Sequence, residues 1–198
     1  MVGDIVKKSD IKQIIIAFFV VFILSVSYLF FLYTYQLINN NEKESNNLDI
    51  KYNGVNKVEI KDSLPISDKL GKSLDISSVN DGIQGYLEFE IQNDSNKSIN
   101  YEIYILRNVV NDEIDTRYIK LYLTDLNGNP LGDFHRSFLP TYYSLNYIDD
   151  MPEAKSLFKS TITRKTKEGF VLRAWVSDGY SYHSSENTFS FSIGVRAI

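Results

Sequence analysis

Two histidines, His135 and His183, and no cysteine leave this 198-residue chain few routes to chemistry. Neither histidine sits in an HExxH or HxH pair, so each reads as a surface or packed residue and not as a metal ligand. Asp125-x-Asn127-x-Asn129 has the opening spacing of a calcium loop. Pro130, however, stands where that loop needs glycine at position six, and Arg136 where it needs a bidentate glutamate at position twelve. A hairpin turn accounts for these residues better. Ser184 adjoins His183, but no GxSxG elbow is present, and adjacency in sequence supplies no triad geometry. Glu88 and Glu90 project from one face of a strand about 6–7 Å apart, and paired carboxylates serve glycoside hydrolysis. The wet side of an amphipathic strand is the preferred account of them. No phosphate-binding or dinucleotide glycine pattern occurs. The expectation is a protein that is not an enzyme, with no catalytic residue, no metal and no cofactor.

The elements that would position a functional surface begin with Ile14 to Tyr33, IIIAFFVVFILSVSYLFFLY, which carries no charge. At about 1.5 Å per residue the run spans roughly 30 Å, the thickness of a bilayer's hydrocarbon core. A single-pass transmembrane helix is expected, with Ile14, Phe18, Phe22, Leu29 and Tyr33 as anchor residues. Lys7, Lys8 and Lys12 precede the run, and the first basic residue after it is Lys43. This bias keeps the N-terminus in the cytoplasm and sends the rest across the membrane. The bulky Phe30-Phe31-Leu32-Tyr33 exit lacks a small-x-small cleavage site, so an uncleaved signal anchor is expected. The organisation read from this is a cytoplasmic stub over 1–12, the anchor over 13–38, a polar stalk over 39–52 and one extracytoplasmic domain over 53–198.

The absence of cysteine excludes disulfides, thiolate catalysis and cysteine–zinc sites, so the domain must be held by its core alone. A net charge of −4 argues against nucleic acid, which needs a basic stripe. From Val55 onward the apolar period is two. Leu87, Phe89 and Ile91 share one face. So do Tyr101, Ile103 and Ile105, then Ile119, Leu121 and Leu123, then Phe189, Phe191, Ile193 and Val195. Short alternating runs broken by Asn, Gly, Asp and Ser mark antiparallel sheet. Asn127-Gly128 is a hairpin turn. Lys165 to Gly169 is read as closing a second hairpin, between 158–163 and 170–176. Asp150-Met-Pro152-Glu153 is read as the start of a short helix capped by Asp150. Two sheets facing each other would bury the apolar faces, so the fold class is all-β, an antiparallel β-sandwich.

Opposite the core faces lie Tyr86, Tyr104, Tyr122 and Trp175, the candidate interaction surface, with Tyr142, Tyr143 and Tyr147 clustered in a predicted loop. Such rings stack on sugars or bury against another protein. A slip of one residue in the face assignment would instead put Trp175 in the core.

Gly85-Tyr-Leu-Glu-Phe-Glu-Ile-Gln-Asn93 with Asn100-Tyr-Glu-Ile-Tyr104, and Phe170-Val-Leu-Arg-Ala-Trp-Val-Ser177 with Asn187-Thr-Phe-Ser-Phe-Ser-Ile193, together resemble the TasA/camelysin-like surface proteins of Firmicutes. The likeness covers about residues 83–195. It implies a jelly-roll-like sandwich that is exported and assembles into fibres by exchanging an N-terminal strand. The uncleaved anchor departs from that pattern, and no family metal or catalytic residue maps here. The expected function is a membrane-anchored cell-surface structural or interaction protein. It would contact copies of itself as a homo-oligomer, or other envelope proteins, through edge strands and the closing strand Phe189–Val195. The alternative is a carbohydrate- or cell-wall-binding module using the surface tyrosines and Trp175.

Overall fold

The computed structural model describes residues 8–44, 48–53, 56–77, 85–108, 113–181 and 188–198. His183 and Ser184 lie outside the described residues, as does the side chain of Tyr33. The chain divides after Glu44 into two compact units. The first holds one helix, α1 (Lys8–Glu44). Within it Ile14–Leu32 is long and apolar enough to cross a membrane, and none of it is buried. Ile14, Phe18, Phe22 and Leu29 are all more than half exposed. Ser25, a polar residue within the run, donates its hydroxyl to the carbonyl of Val21 at 2.8 Å, so the helix satisfies it internally.

The second unit is antiparallel sheet. Its elements are β1 (Leu48–Tyr52), β2 (Lys57–Lys61), a single helical turn α2 (Asp68–Gly71), β3 (Gly85–Asn93), β4 (Ile99–Asn108) and β5 (Ile119–Asp125). Two 3₁₀ turns follow, Gly132–His135 and Tyr142–Ser144, then β6 (Tyr147–Ile148), β7 (Met151–Ile162), β8 (Lys167–Val176) and β9 (Thr188–Ala197). Among the described residues one sheet has the order β1-β3-β8-β5 and the other β2-β9-β4-β7-β6. The alternation read from sequence is the alternation of burial: β3 runs buried, half-buried, buried along its whole length. Leu87, Phe89, Leu121 and Leu172 of the first sheet share one buried cluster with Tyr101, Ile103, Phe189 and Phe191 of the second. Tyr101 meets Phe170 edge-on at 6.5 Å and donates its hydroxyl to Glu168 Oε2 at 2.7 Å, so rings and polar groups join across the sheets.

Four expectations are corrected. No polar stalk fills 39–52: α1 continues to Glu44, and Leu48–Tyr52 is β1, paired with β3 from Leu48↔Asn93 to Tyr52↔Phe89. Leu48, Ile50 and Tyr52 pack against the core while Asp49 and Lys51 face out, a period-two signal only five residues long beside a polar tract. The turn at 163–166 closes no hairpin, because β7 pairs with β4 and β6 whereas β8 pairs with β3 and β5. It crosses between sheets, as does the β3–β4 connection. Asp150 caps no helix. Its carboxylate accepts from Arg196 Nη1 at 2.6 Å, and Met151 already belongs to β7, where Pro152 sits at the strand's beginning. The closing strand β9 is no edge, since it lies between β2 and β4.

The two crossings are tied by one side chain. Asn93, fully buried, donates Nδ2 to the carbonyls of Lys97, Ile162 and Thr163 at 2.8, 3.3 and 3.1 Å. Its Oδ1 accepts from the amide and hydroxyl of Ser95 at 2.9 and 2.7 Å. A buried carboxamide is stable only with such complete satisfaction.

Candidate interaction surface

The carboxylates nominated for chemistry are engaged in ordinary polar contacts. Glu88 accepts from Asn53 Nδ2 and from the Tyr86 hydroxyl, both at 3.2 Å, and Glu90 pairs with Lys167 at 2.9 Å. Asp125 accepts from the amides of Asn127 and Asn129 at 2.9 and 2.8 Å and from Asn129 Nδ2 at 2.8 Å. These bonds hold its carboxyl below the usual range, and they build the turn at Gly128, whose φ is +84°. His135 is exposed in the first 3₁₀ turn. Among the described residues no group of three or more metal-ligating side chains comes together.

The four rings nominated as a surface are not one surface. Tyr86 and Tyr122 both stand in register with Arg173 on β8, so the three side chains form a row across the first sheet. The Arg173 guanidinium lies 5.6 Å from the Tyr86 ring and is fixed by bonds to the Leu74 carbonyl (2.7 Å) and Thr124 Oγ1 (3.2 Å). Burial, then the charge of Glu88, pushes the Tyr86 hydroxyl up. Tyr122 is half-buried, with Lys72 Nζ 5.3 Å from its ring. Tyr104 belongs to the other sheet. Its ring covers Gly194, its partner across β4 and β9.

Trp175 is corrected as a surface residue, since it is fully buried. It points away from the main core, as the alternation of β8 requires, and forms a small second cluster with Leu74 and Leu139 beneath α2. The segment around α2 has no long apolar period to announce that it will cover a sheet.

Exposed apolar surface lies elsewhere. A groove of about 630 Å³ runs beside Phe138, which is 88% exposed. Phe134, Leu145, Leu157 and Phe158 line it, with Arg136 and Lys159 among the polar lining residues. It opens where the chain before β6 leaves β7: Ser156 still donates to the Asn146 carbonyl at 2.9 Å, but β6 carries the pairing only back toward Met151. The remaining edges are short or charged. β2 alternates Lys57, Glu59 and Lys61 outward, and β5 is partly covered by bonds from Leu121 to Pro140 and from Leu131 to Leu123.

Two buried charges adjoin this region, and sequence reading identified neither. Glu102 is 1% exposed on the outer side of β4, between Arg196 of β9 and Lys159 of β7. It accepts from Arg196 Nε at 2.8 Å and pairs with Lys159 at 3.2 Å. Lys155 is 3% exposed and donates to the carbonyls of Tyr142 and Tyr143 at 3.1 and 2.9 Å. The rings of Tyr142, Tyr143 and Tyr147 surround its ammonium at 5.0, 5.7 and 4.4 Å. Burial, followed by the nearby charge of Arg107, lowers its pKa. The tyrosine cluster was visible in the sequence; the lysine it encloses follows the expected helix start at 150–153, and nothing in the sequence there marks it as buried. Compared with known proteins, the chain matches no family model, no curated protein and no solved structure.

Proposed function

We propose that this chain is a single-pass membrane protein that presents its β domain outside the cell as a structural or interaction module. One observation carries the reading: Ile14–Leu32 are apolar in near-continuous sequence, and none of the run is buried among the described residues. Such a surface is stable in lipid and costly in water. The lysines at 7, 8 and 12 orient the N-terminus to the cytoplasm. On this reading the two sheets close into a jelly-roll-like β-sandwich of the TasA/camelysin-like kind. The cluster shared by both sheets supports that closure, and the domain has a core of its own to survive export without disulfides.

Contacts with envelope proteins or with further copies are assigned to the Phe138 groove. It offers the exposed aromatic ring and apolar floor that protein interfaces favour at their centres. The carbohydrate-binding reading rested on the surface tyrosines together with Trp175, and the burial of Trp175 removes one ring from that set.

The absence of cysteine makes the topology simple to test. Single replacements Ser9→Cys and Ser181→Cys are treated, in intact cells, with a membrane-impermeant maleimide. Labelling of S181C alone is expected, with the chain retained in the membrane fraction after alkaline extraction. Labelling of S9C alone, or release into the alkaline supernatant, would overturn the reading.

A further inference from the structure

The ammonium of Lys155 has no ion-pair partner among the described residues, although it is almost wholly buried. Its holders are two carbonyl oxygens and three ring faces, and all five come from one stretch of chain, Tyr142–Tyr147. We propose that Lys155 is a latch: its cation clamps the strap 142–148 onto the outer edge of β7 and so keeps that edge closed.

The strap's two ends are seated in the core by Tyr142, edge-on to Phe189 at 5.1 Å, and by Ile148, but its backbone pairing to β7 is slight. β6 is two residues long, with register pairs Tyr147↔Lys155 and Ile148↔Met151 and an irregularity between them. A strand of that length is not stable by its own ladder. The backbone bond from Ser156 to Asn146 is the last one before the chain departs toward the groove. Against this, the carbonyls and the π faces all present negative potential toward one desolvated cation. Tyr143 and Tyr147 are 64% and 66% exposed, so their outer faces keep water from the ammonium while their inner faces hold it. The charges around it agree with a cation sustained by the strap. Arg107 on β4 repels it and is itself paired with Glu113 at 3.2 Å. When the strap lifts between those ends, β7 loses its cover at Lys155 and Ser156, continuous with the part of its edge that lines the groove at Leu157–Lys159. An uncovered edge of that length is a template for strand addition. The latch is therefore an edge guard.

Amide hydrogen exchange on the full chain in detergent micelles tests this. The Ser156 amide reports the strap, and the Leu172 amide in β8 reports the fold. In Lys155→Met, which keeps the length and removes the charge, the protection of Ser156 is expected to fall about tenfold or more, with Leu172 unchanged. Tyr147→Leu removes one exposed ring and leaves the lysine and both carbonyls in place. It is expected to lower Ser156 protection several-fold, and it decides the matter if K155M does not fold. Unchanged Ser156 protection in Y147L, or an equal loss at Leu172, would overturn the latch.

Discussion

Gly71 lies flat against the indole of Trp175: a Cβ built on the glycine would stand 2.2 Å from Cδ2 and Cε2 of the ring. The single turn of α2 is thus close enough to seal the tryptophan only because residue 71 has no side chain. Gly71→Ala is expected to destabilise the domain by about 1–3 kcal/mol through overpacking. Urea unfolding followed by the fluorescence of Trp175, the only tryptophan, checks this, with a red-shifted native emission as the sign that α2 has lifted. Native emission and midpoint equal to the parent's would mean that α2 does not rest on the ring.

Glu102 predicts an acid limb in the stability profile. Burial alone would raise its carboxyl, but hydrogen bonds from Ser156, Arg196 and Lys159 outweigh burial and hold it below the usual range. A folded pKa below the unfolded one means that the stabilisation is complete above the unfolded carboxylate pKa of about 4.3 and is lost as pH falls through the folded value. Glu102→Gln should cost about 3 kcal/mol at neutral pH, because it leaves two cations facing a neutral buried group. It should also flatten the acid limb. Melting temperatures of both proteins across the acid range decide it, and parallel profiles would refute the role given to Glu102.

Asn93 predicts that its two functions are inseparable. Its amide holds three carbonyls and its oxygen holds Ser95. Asn93→Ala is expected to lose about 3 kcal/mol from the buried groups left unpaired. Asn93→Asp should be no better, because an acceptor would then face three acceptors. A denaturation midpoint for the aspartate variant near that of the parent would contradict the assignment.

Tyr104 predicts a change in stability without a change in association. Its ring lies over Gly194, where an added Cβ would meet Cζ at 2.2 Å. Tyr104→Ala should expose the glycine strand and cost about 1 kcal/mol. Sedimentation of the detergent-solubilised chain should be the same for both. A shift in the association state would return Tyr104 to the interaction surface.

Much of this fold was legible because alternation is local. Leu87, Phe89 and Ile91 each lie two residues from the next, and no distant information is needed to assign their face. Pairing is not local. Phe89 pairs with Phe170, and nothing near either residue tells which sheet will receive it. For that reason the turn at 163–166 reads as a hairpin although it is a crossing. Trp175 was placed on the correct side of its strand, yet exposure depended on a cover whose packing residues, Gly71 and Leu74, carry no periodic signal. Lys155 was invisible for the same reason. Its neighbours at 142, 143 and 147 reach it by a strap whose course the sequence does not state.

The last of the described strands is placed inside its sheet. β9 fills the space between β2, near the start of the domain, and β4. The five-stranded sheet therefore cannot be completed until β9 has left the ribosome. Partners such as Ile60 and Phe189 must be brought together across most of the domain. The interval until then, with apolar strands unpaired, is the period in which the chain is most vulnerable to proteases and aggregation.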